Sequence, residues 1–171
     1  MSTLKVDSLV EKTSGNGVHI PGHVIQVVNS TETSASSATS SSPVEVLSVN
    51  ITPKSSNSKI HIIGSVNAST LSSGRAAIGL YKDGSALVKG DSSGTRSRVY
   101  AQIQNGDSGL MGHADVLYLD SPNTTSEVTY SIYMEPEGGS TAFFINRSQS
   151  DADSGSRFRG VSSITVMEIA Q

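Results

Sequence analysis

The sequence predicts an all-β protein, an antiparallel β-sandwich (jelly-roll) head with a short segment in front of it. Ser and Thr make up 33 and 13 of the 171 residues; these side chains compete with helical backbone bonds, whereas β-branched residues suit pleated sheets. Apolar and polar residues alternate over short stretches at regular spacing, as in the half-buried strands of a two-sheet sandwich. Asp83-Gly84, between two such stretches, is a strong hairpin signal.

Length and charge exclude several classes of protein. A chain of 171 residues supports one full core rather than two. The net charge of −3 provides no basic surface for nucleic acid. No apolar run reaches the roughly 18 residues of a membrane span, and the first twelve residues lack the pattern of a secretory signal. Cysteine is absent, so stability must come from core packing or from assembly.

Residues 1–21 are predicted to form an N-terminal attachment and trimerisation segment. The Gly-rich turn at 14–17 joins two short extended pieces, and a lone hairpin is only marginally stable in water. The segment is therefore either frayed or packed against other chains. In a trimer, its apolar residues would supply the contacts: Leu4, Val6, Leu9, Val18 and Ile20.

Residues 22–171 are predicted to form the head, which begins with a strand at 23–28. The stretch TETSASSATSSS at 31–42 has almost nothing to bury. It is either a flexible linker or a long surface loop. We favour the loop, because the strand before it has no other domain to join.

The remaining strands are inferred from alternation and from the turns that separate them. In the stretch 59–68, every second residue from Ile60 to Ala68 is apolar or Gly, and in 127–135 the same holds from Val128 to Met134. The last strand runs almost to the terminus and is expected in the middle of a sheet. The predicted strands are 44–51, 59–68, 76–82, 85–89, 98–104, 113–120, 127–135, 141–146 and 163–170.

Arginines in or beside predicted loops are the candidate binding residues. With nearby aromatic rings, guanidinium groups can hold sugar carboxylates or phosphates through paired hydrogen bonds. The alternative is ordinary solvated charge or pairing between subunits. The candidates are Arg75, Arg96, Arg98, Tyr100, Arg147, Arg157, Phe158 and Arg159.

No catalytic residue, metal site or cofactor is predicted. The stretch GDSSG at 90–94 has the Gly-x-Ser-x-Gly spacing but lacks the parallel sheet that would present it as a nucleophile elbow, and the acidic stretch at 151–155 lacks the closing Glu of a helix-flanked calcium loop. His19 or His23 would bind a metal only if three copies met at a symmetry axis. A glycan-active enzyme would need two opposed carboxylates across a groove, such as Glu135 and Asp115.

Five stretches of the sequence carry a family resemblance that spans essentially the whole chain: STLKVDSL, TSGNGV, PGHVIQVV, VNITPKSSNSKIHI and SSITVMEIAQ. Together they resemble tail-fibre-like or head-fibre-like virion proteins of bacteriophages, especially marine phages and cyanophages. The resemblance implies a homotrimer with a short N-terminal attachment segment and a jelly-roll head. It also implies a place in the virion, an extracellular particle whose parts are made in the cytoplasm of the bacterial host.

The function expected from this resemblance is non-enzymatic. The N-terminal segment would bind other virion proteins, and the head would contact host-surface carbohydrate. Two alternatives stay open at this point. One is a capsid decoration, or cement, protein without a receptor role, and the other is a glycan-active enzyme on a jelly-roll scaffold.

Overall fold

The computed structural model describes residues 6–10, 20–71, 74–105, 107–136 and 141–171. Within these ranges the chain forms eleven strands, and no helix long and apolar enough to cross a membrane occurs there. The strands are β1 (Val24–Glu32), β2 (Ser36–Ser40), β3 (Val44–Ile51), β4 (Lys59–Thr70), β5 (Arg75–Lys82), β6 (Ser85–Val88), β7 (Ala101–Gln104), β8 (Gly112–Asp120), β9 (Val128–Pro136), β10 (Thr141–Ile145) and β11 (Ser162–Ile169).

The strands form two antiparallel sheets. In sheet A the order is β1-β11-β4-β10-β2, and β8 pairs with the other edge of β4. In sheet B the order is β3-β9-β5-β6, and β7 also pairs with β5. The last strand, β11, lies between β1 and β4, so the prediction that it occupies the middle of a sheet is confirmed.

The strand order identifies the sandwich as a jelly roll. When β2, β7 and β10 are set aside, the remaining strands lie in the orders β1-β11-β4-β8 and β3-β9-β5-β6. Counted along the chain, these orders are 1-8-3-6 and 2-7-4-5. Among these eight strands, every connection therefore crosses between the sheets except the β5–β6 hairpin, as two interlocked Greek keys require.

The core lies between the sheets and consists of the inward positions of alternating strands. Every second residue of β4 from Ile60 to Ala68 is buried, and so is every second residue of β9 from Val128 to Met134, which confirms both predicted apolar faces. Gly64, in the middle of β4, leaves room for the side chain of Ile132, whose Cδ1 would lie 2.6 Å from an added Cβ. Each fully buried large aliphatic side chain contributes roughly 1.5–3 kcal/mol.

The hairpin between β5 and β6 has the predicted two-residue turn. Asp83 and Gly84 both have positive φ, 49° and 76°, the combination of a type I′ turn whose twist matches the flanking strands. Asp83 also accepts a hydrogen bond through Oδ1 from the backbone N–H of Thr129 at 2.9 Å. The turn is thereby tied to β9, the neighbouring strand of sheet B.

The prediction of a loop over residues 31–42 was wrong. Residues 36–40 form β2, which pairs in register with β10 from Ser40 opposite Thr141 to Ser36 opposite Ile145. Strand pairing is made by backbone groups, so a strand at a sheet edge can form with only one small apolar side chain to bury. In β2 this side chain is Ala38, which is partly buried against the core. The predicted strand 98–104 is also shorter and begins at Ala101.

Candidate functional site

The outer face of sheet B carries two stacked tyrosines. Tyr81 of β5 and Tyr133 of β9 lie on neighbouring strands in a diagonal arrangement, since Tyr133 is directly opposite Gly79. Their ring centroids are 4.2 Å apart, and the ring planes are tilted by 32°. A Cβ atom on Gly79 would lie 2.6 Å from Cε2 of Tyr81. The missing side chain therefore lets the Tyr81 ring lie down over its own strand.

A carboxylate holds each of these tyrosine hydroxyl groups. Tyr81 donates to Oε1 of Glu135 at 2.7 Å, and Tyr133 donates to Oε2 of Glu45 at 3.0 Å. Glu135 follows Tyr133 by two residues on β9, and Glu45 lies opposite Tyr133 on β3. The rings are thereby fixed in place, and each carboxylate keeps further lone pairs for other donors.

A cavity of about 460 Å³ opens beside Glu135. Its walls combine guanidinium and amide donors with the carboxylate acceptor. We call the cavity and the adjoining tyrosine pair the tyrosine cleft, defined by Arg75, Tyr81, Arg96, Tyr133 and Glu135. The cavity is lined by Arg75, Ala77, Arg96, Ser97, Val99, Gln102 and Glu135.

The environment of the cleft shifts the titration of both tyrosines. Burial raises the pKa of Tyr81 above the ordinary tyrosine value, and the hydrogen bond to Glu135 raises it further. The pKa of Tyr133 is raised by burial and then by the hydrogen bond to Glu45. Because folding raises the pKa of each tyrosine, its neutral hydroxyl stabilises the folded chain. This stabilisation is fully present below the unfolded pKa and is lost as the pH rises through the folded pKa.

We expect the free energy of unfolding to fall as the pH rises above about 10, the pKa of an unperturbed tyrosine. Urea unfolding at a series of alkaline pH values measures this fall, and the ultraviolet absorbance of tyrosinate reports ionisation directly. The double variant Tyr81→Phe/Tyr133→Phe should lose part of the fall, because its phenyl rings do not ionise. An equal fall in the variant and the parent chain would contradict the assignment.

The predicted binding residues lie in two groups, and two of them line the tyrosine cleft. Arg75 is the first residue of β5 and lies opposite Gln104 of β7. Arg96 is held by Ser93, whose Oγ accepts from Nη1 at 2.8 Å. Arg98, two residues further along, instead donates through Nε to the carbonyl of Gly90 at 2.7 Å.

The hydroxyl of Tyr100 forms hydrogen bonds with the backbone at one edge of β8. It accepts from the backbone N–H of Leu117 at 2.9 Å and donates to the carbonyl of the same residue at 2.6 Å. Leu117 lies on β8, whose other edge pairs with β4. The hydroxyl of Tyr100 is thus occupied in joining the segment before β7 to sheet A.

The second group of predicted residues surrounds Asp151. Arg159 pairs with Asp151 at 2.7 Å, Arg147 lies 3.8 Å from the same carboxylate, and the Arg147 guanidinium also lies over the Phe144 ring at 4.5 Å. Arg157 and Phe158 together line two neighbouring depressions of about 420 and 390 Å³. Binding by these residues remains a prediction.

The predicted attachment residues fall only partly within the described ranges. Val6, Leu9 and Ile20 are 55%, 57% and 37% exposed in the single chain. Leu4 and Val18 lie outside the described residues. A role for the segment in trimer formation also remains a prediction.

The two carboxylates required for a glycan-cleaving site lie on different sheets. Glu135 is on the outer face of sheet B, and Asp115 is on the outer face of sheet A, opposite Ser65. This pair therefore cannot flank one glycosidic bond. In the part of the chain that the structure describes, no group of three or more His, Cys, Asp or Glu side chains is placed to hold a metal ion.

Sequence reasoning identified Arg75 and Arg96 but missed the stacked tyrosines. The alternation of β9 already places Tyr133 and Glu135 on its polar face, so an outward-facing aromatic residue beside a carboxylate was a usable signal. The stacking with Tyr81 was not visible, because it depends on the pairing of β5 with β9.

No family model and no curated protein matches the chain. Solved structures of infectious bursal disease virus are similar in shape. The Gx strain structure gives a TM-score of 0.43 at 15% identity over 85% of this chain, and the VP2 subviral particle gives 0.43 at 14% over 85%. The Gt strain structure gives 0.42 at 13% over 98%. The chain covers 37%, 38% and 43% of those chains, and the jelly-roll assignment rests on its own strand order.

Proposed function

We propose that the chain is a non-enzymatic structural protein of a bacteriophage virion, a trimeric fibre or knob whose head binds host-surface glycans. The observation that carries the binding role is the tyrosine cleft, where a fixed aromatic pair adjoins a carboxylate and two arginines on the outer face of a sheet. The sequence resemblance supports the place in the virion and the attachment through residues 1–21. Jelly rolls serve in both viral capsids and lectins, so the fold accommodates this role without specifying it.

The chemistry of the tyrosine cleft suits a sugar. An aromatic ring offers an apolar face on which the C–H face of a pyranose can pack. Glu135 accepts hydrogen bonds from hydroxyl groups, whereas Arg96 and Gln102 donate to hydroxyl or ring oxygens. The cavity volume of about 460 Å³ falls within the roughly 300–1,000 Å³ that is usual for small-ligand sites.

The charges of the cleft favour a neutral sugar over an acidic one. Glu135 lines the cavity and Glu45 is hydrogen-bonded to the adjoining Tyr133, so the two carboxylates together offset the charges of Arg75 and Arg96 and leave little attraction for a uronic acid or a phosphate. Carboxylates are acceptors only, and pairing an acidic ligand with them would be repulsive. The proposed ligand is therefore an uncharged polyhydroxylated unit of a bacterial surface polysaccharide.

We expect Glu135→Gln and Arg96→Ala each to weaken binding of the protein to an array of purified bacterial surface polysaccharides. A hydrogen bond to a charged group contributes about 1.5–3 kcal/mol, which corresponds to roughly 10- to 150-fold in affinity. Biolayer interferometry on the polysaccharides that bind the parent chain measures the change.

Two matched controls lie outside the cleft. Glu127→Gln removes a charge just before β9, and Arg98→Ala removes an arginine that does not line the cavity. Both should bind like the parent chain. Equal binding by all four variants would show that the tyrosine cleft is not the glycan-binding site. Failure of the parent chain to bind any neutral polysaccharide would favour a decoration role without a receptor.

A further inference from the structure

Apolar side chains of β1, β11, β4 and β8 meet in one part of the outer face of sheet A, beside Asn29 and Thr165 and one row away from Asp115. One cross-strand row runs from Val27 through Met167 and His61 to Leu119, and the next row places Ile63 beside Leu117. Four of these side chains are large, apolar and exposed: Val27 56%, Ile63 40%, Leu117 62% and Leu119 48%. We call Val27, Ile63, Leu117, Leu119 and Met167 the apolar face.

The two rows that contain the apolar face differ in charge from the outer face of sheet B. On sheet B the corresponding outward positions include Glu45, Asn50, Thr129 and Glu135. The two rows of the apolar face contain no Asp, Glu, Lys or Arg; His61 is their one titratable side chain. Depletion of charge at the centre of a surface is typical of protein–protein contacts. A face without fixed charge also does not repel a second copy of itself.

The N-terminal segment enters the head at the same end of sheet A. Gly22 N–H donates to the carbonyl of Ala170, and Ala170 N–H donates to the carbonyl of His23, both at 2.9 Å. These bonds fix the entry point three residues beyond Met167 of the apolar face. In the segment itself Val6, Leu9 and Val10 are 55%, 57% and 84% exposed. The chain therefore carries two uncovered apolar surfaces.

The combined area matches the requirement of a stable contact. Val27, Ile63, Leu117 and Leu119 present roughly 400 Å² of exposed surface, the size of the largest patches on monomers. Val6, Leu9, Val10 and Ile20 add a similar area, which brings the total to roughly the 800 Å² per partner of a standard interface.

The edge of β8 indicates how a partner would dock. At the level of the apolar face, Tyr100 occupies both backbone groups of Leu117. A partner strand therefore cannot add to sheet A at this point by backbone pairing. At this point of the edge, contact is left to side chains, which is the mode that an uncharged apolar face allows.

We infer that the apolar face of sheet A, together with the N-terminal segment, is the surface through which copies of this chain assemble. The inference rests on the assembly part of the proposed function, and it is independent of glycan binding. It assigns the two sheets separate roles. Sheet A holds the copies together, and sheet B keeps the tyrosine cleft open to solvent.

The test compares molar mass in two double variants. In the parent chain of 17.8 kDa, multi-angle light scattering should report a trimer. Leu117→Ser/Leu119→Ser should weaken the assembly at least tenfold, while circular dichroism shows a retained β fold. The matched control Leu71→Ser/Leu110→Ser removes two leucines that are 41% and 57% exposed and lie outside the face; it should remain assembled.

A second measurement uses the absence of cysteine from the chain. A single Leu117→Cys should react with maleimide at least tenfold more slowly than Asn50→Cys on the outer face of sheet B. A monomeric parent chain, or an assembled Leu117→Ser/Leu119→Ser variant with a freely reactive Leu117→Cys, would overturn the inference. Glycan binding of Glu135→Gln reads out the cleft separately, so the two proposals can fail independently.

Discussion

Replacing Glu168 by leucine is expected to lower the free energy of unfolding by about 3–5 kcal/mol, as when one partner of a buried charged network is removed. Glu168 is fully buried on the inward face of β11. Its Oε1 accepts from the backbone N–H groups of Lys54 at 2.8 Å and Ser55 at 3.3 Å, and its Oε2 accepts from Nε2 of Gln26 at 2.6 Å. Leucine leaves the two backbone N–H groups without this acceptor, whereas Nε2 of Gln26 keeps the carbonyl of Thr52 at 2.8 Å; each unsatisfied buried donor costs about 1–3 kcal/mol.

Urea unfolding followed by circular dichroism measures this loss. Glu168→Gln should be less costly than Glu168→Leu, because its amide oxygen replaces one acceptor while its NH₂ group opposes the donors. Glu127→Leu is the matched control; Glu127 is exposed and accepts only a 3.4 Å bond from Asn50 among the described contacts, so its replacement should change the stability little. A leucine at 168 that left the unfolding midpoint unchanged would show that the β3–β4 connection does not depend on this carboxylate.

Glu168 also shows how far the sequence predicts the fold. The alternation of the last strand puts Ile164, Val166 and Glu168 in one phase, and all three are buried. A carboxylate in phase with two aliphatic residues was a visible sign of a buried charge. Its donors were not visible, because Lys54 and Ser55 are more than a hundred residues away in sequence.

Alternation was reliable where a strand buries one full face. Strands β4 and β9 and the Asp83-Gly84 hairpin follow from local pattern and turn geometry alone. Strand β2 does not, because its hydroxyl-rich sequence is satisfied by backbone pairing with β10. Such an edge strand depends on a partner that lies a hundred residues later, and the local composition does not predict that pairing.

The candidate site shows the same limit. Arg75 and Arg96 were predicted as binding residues because they lie in or beside predicted loops, and the structure places both beside Glu135. The arginines near Asp151 share the same local features but form another cluster. Only the pairing of β5 with β9 and β7 decides which charged residues share a surface with the stacked tyrosines.

Asp120 links the two sheets at one end of the core. It lies at the end of β8 in sheet A and is 7% exposed. Its Oδ2 accepts from the hydroxyl of Tyr130 at 2.7 Å and from Nζ of Lys82 at 2.9 Å, both in sheet B. Tyr130 is fully buried; burial, and then its hydrogen bond to Asp120, raises its pKa above the ordinary tyrosine range.

Asp120→Ala is expected to cost about 2–4 kcal/mol of unfolding free energy, because it leaves a buried hydroxyl group and an ammonium group without their charged acceptor. In a Tyr130→Phe background the same substitution should cost less by about 1–2 kcal/mol, since no hydroxyl is left to satisfy. A double-mutant cycle by urea unfolding measures this coupling. Asp115→Ala, on the same strand but with a side chain 70% exposed, should have almost no effect. Strict additivity of Asp120→Ala and Tyr130→Phe would mean that the 2.7 Å contact does not hold the sheets together, and the cost of Asp120→Ala would then have to arise from Lys82 alone.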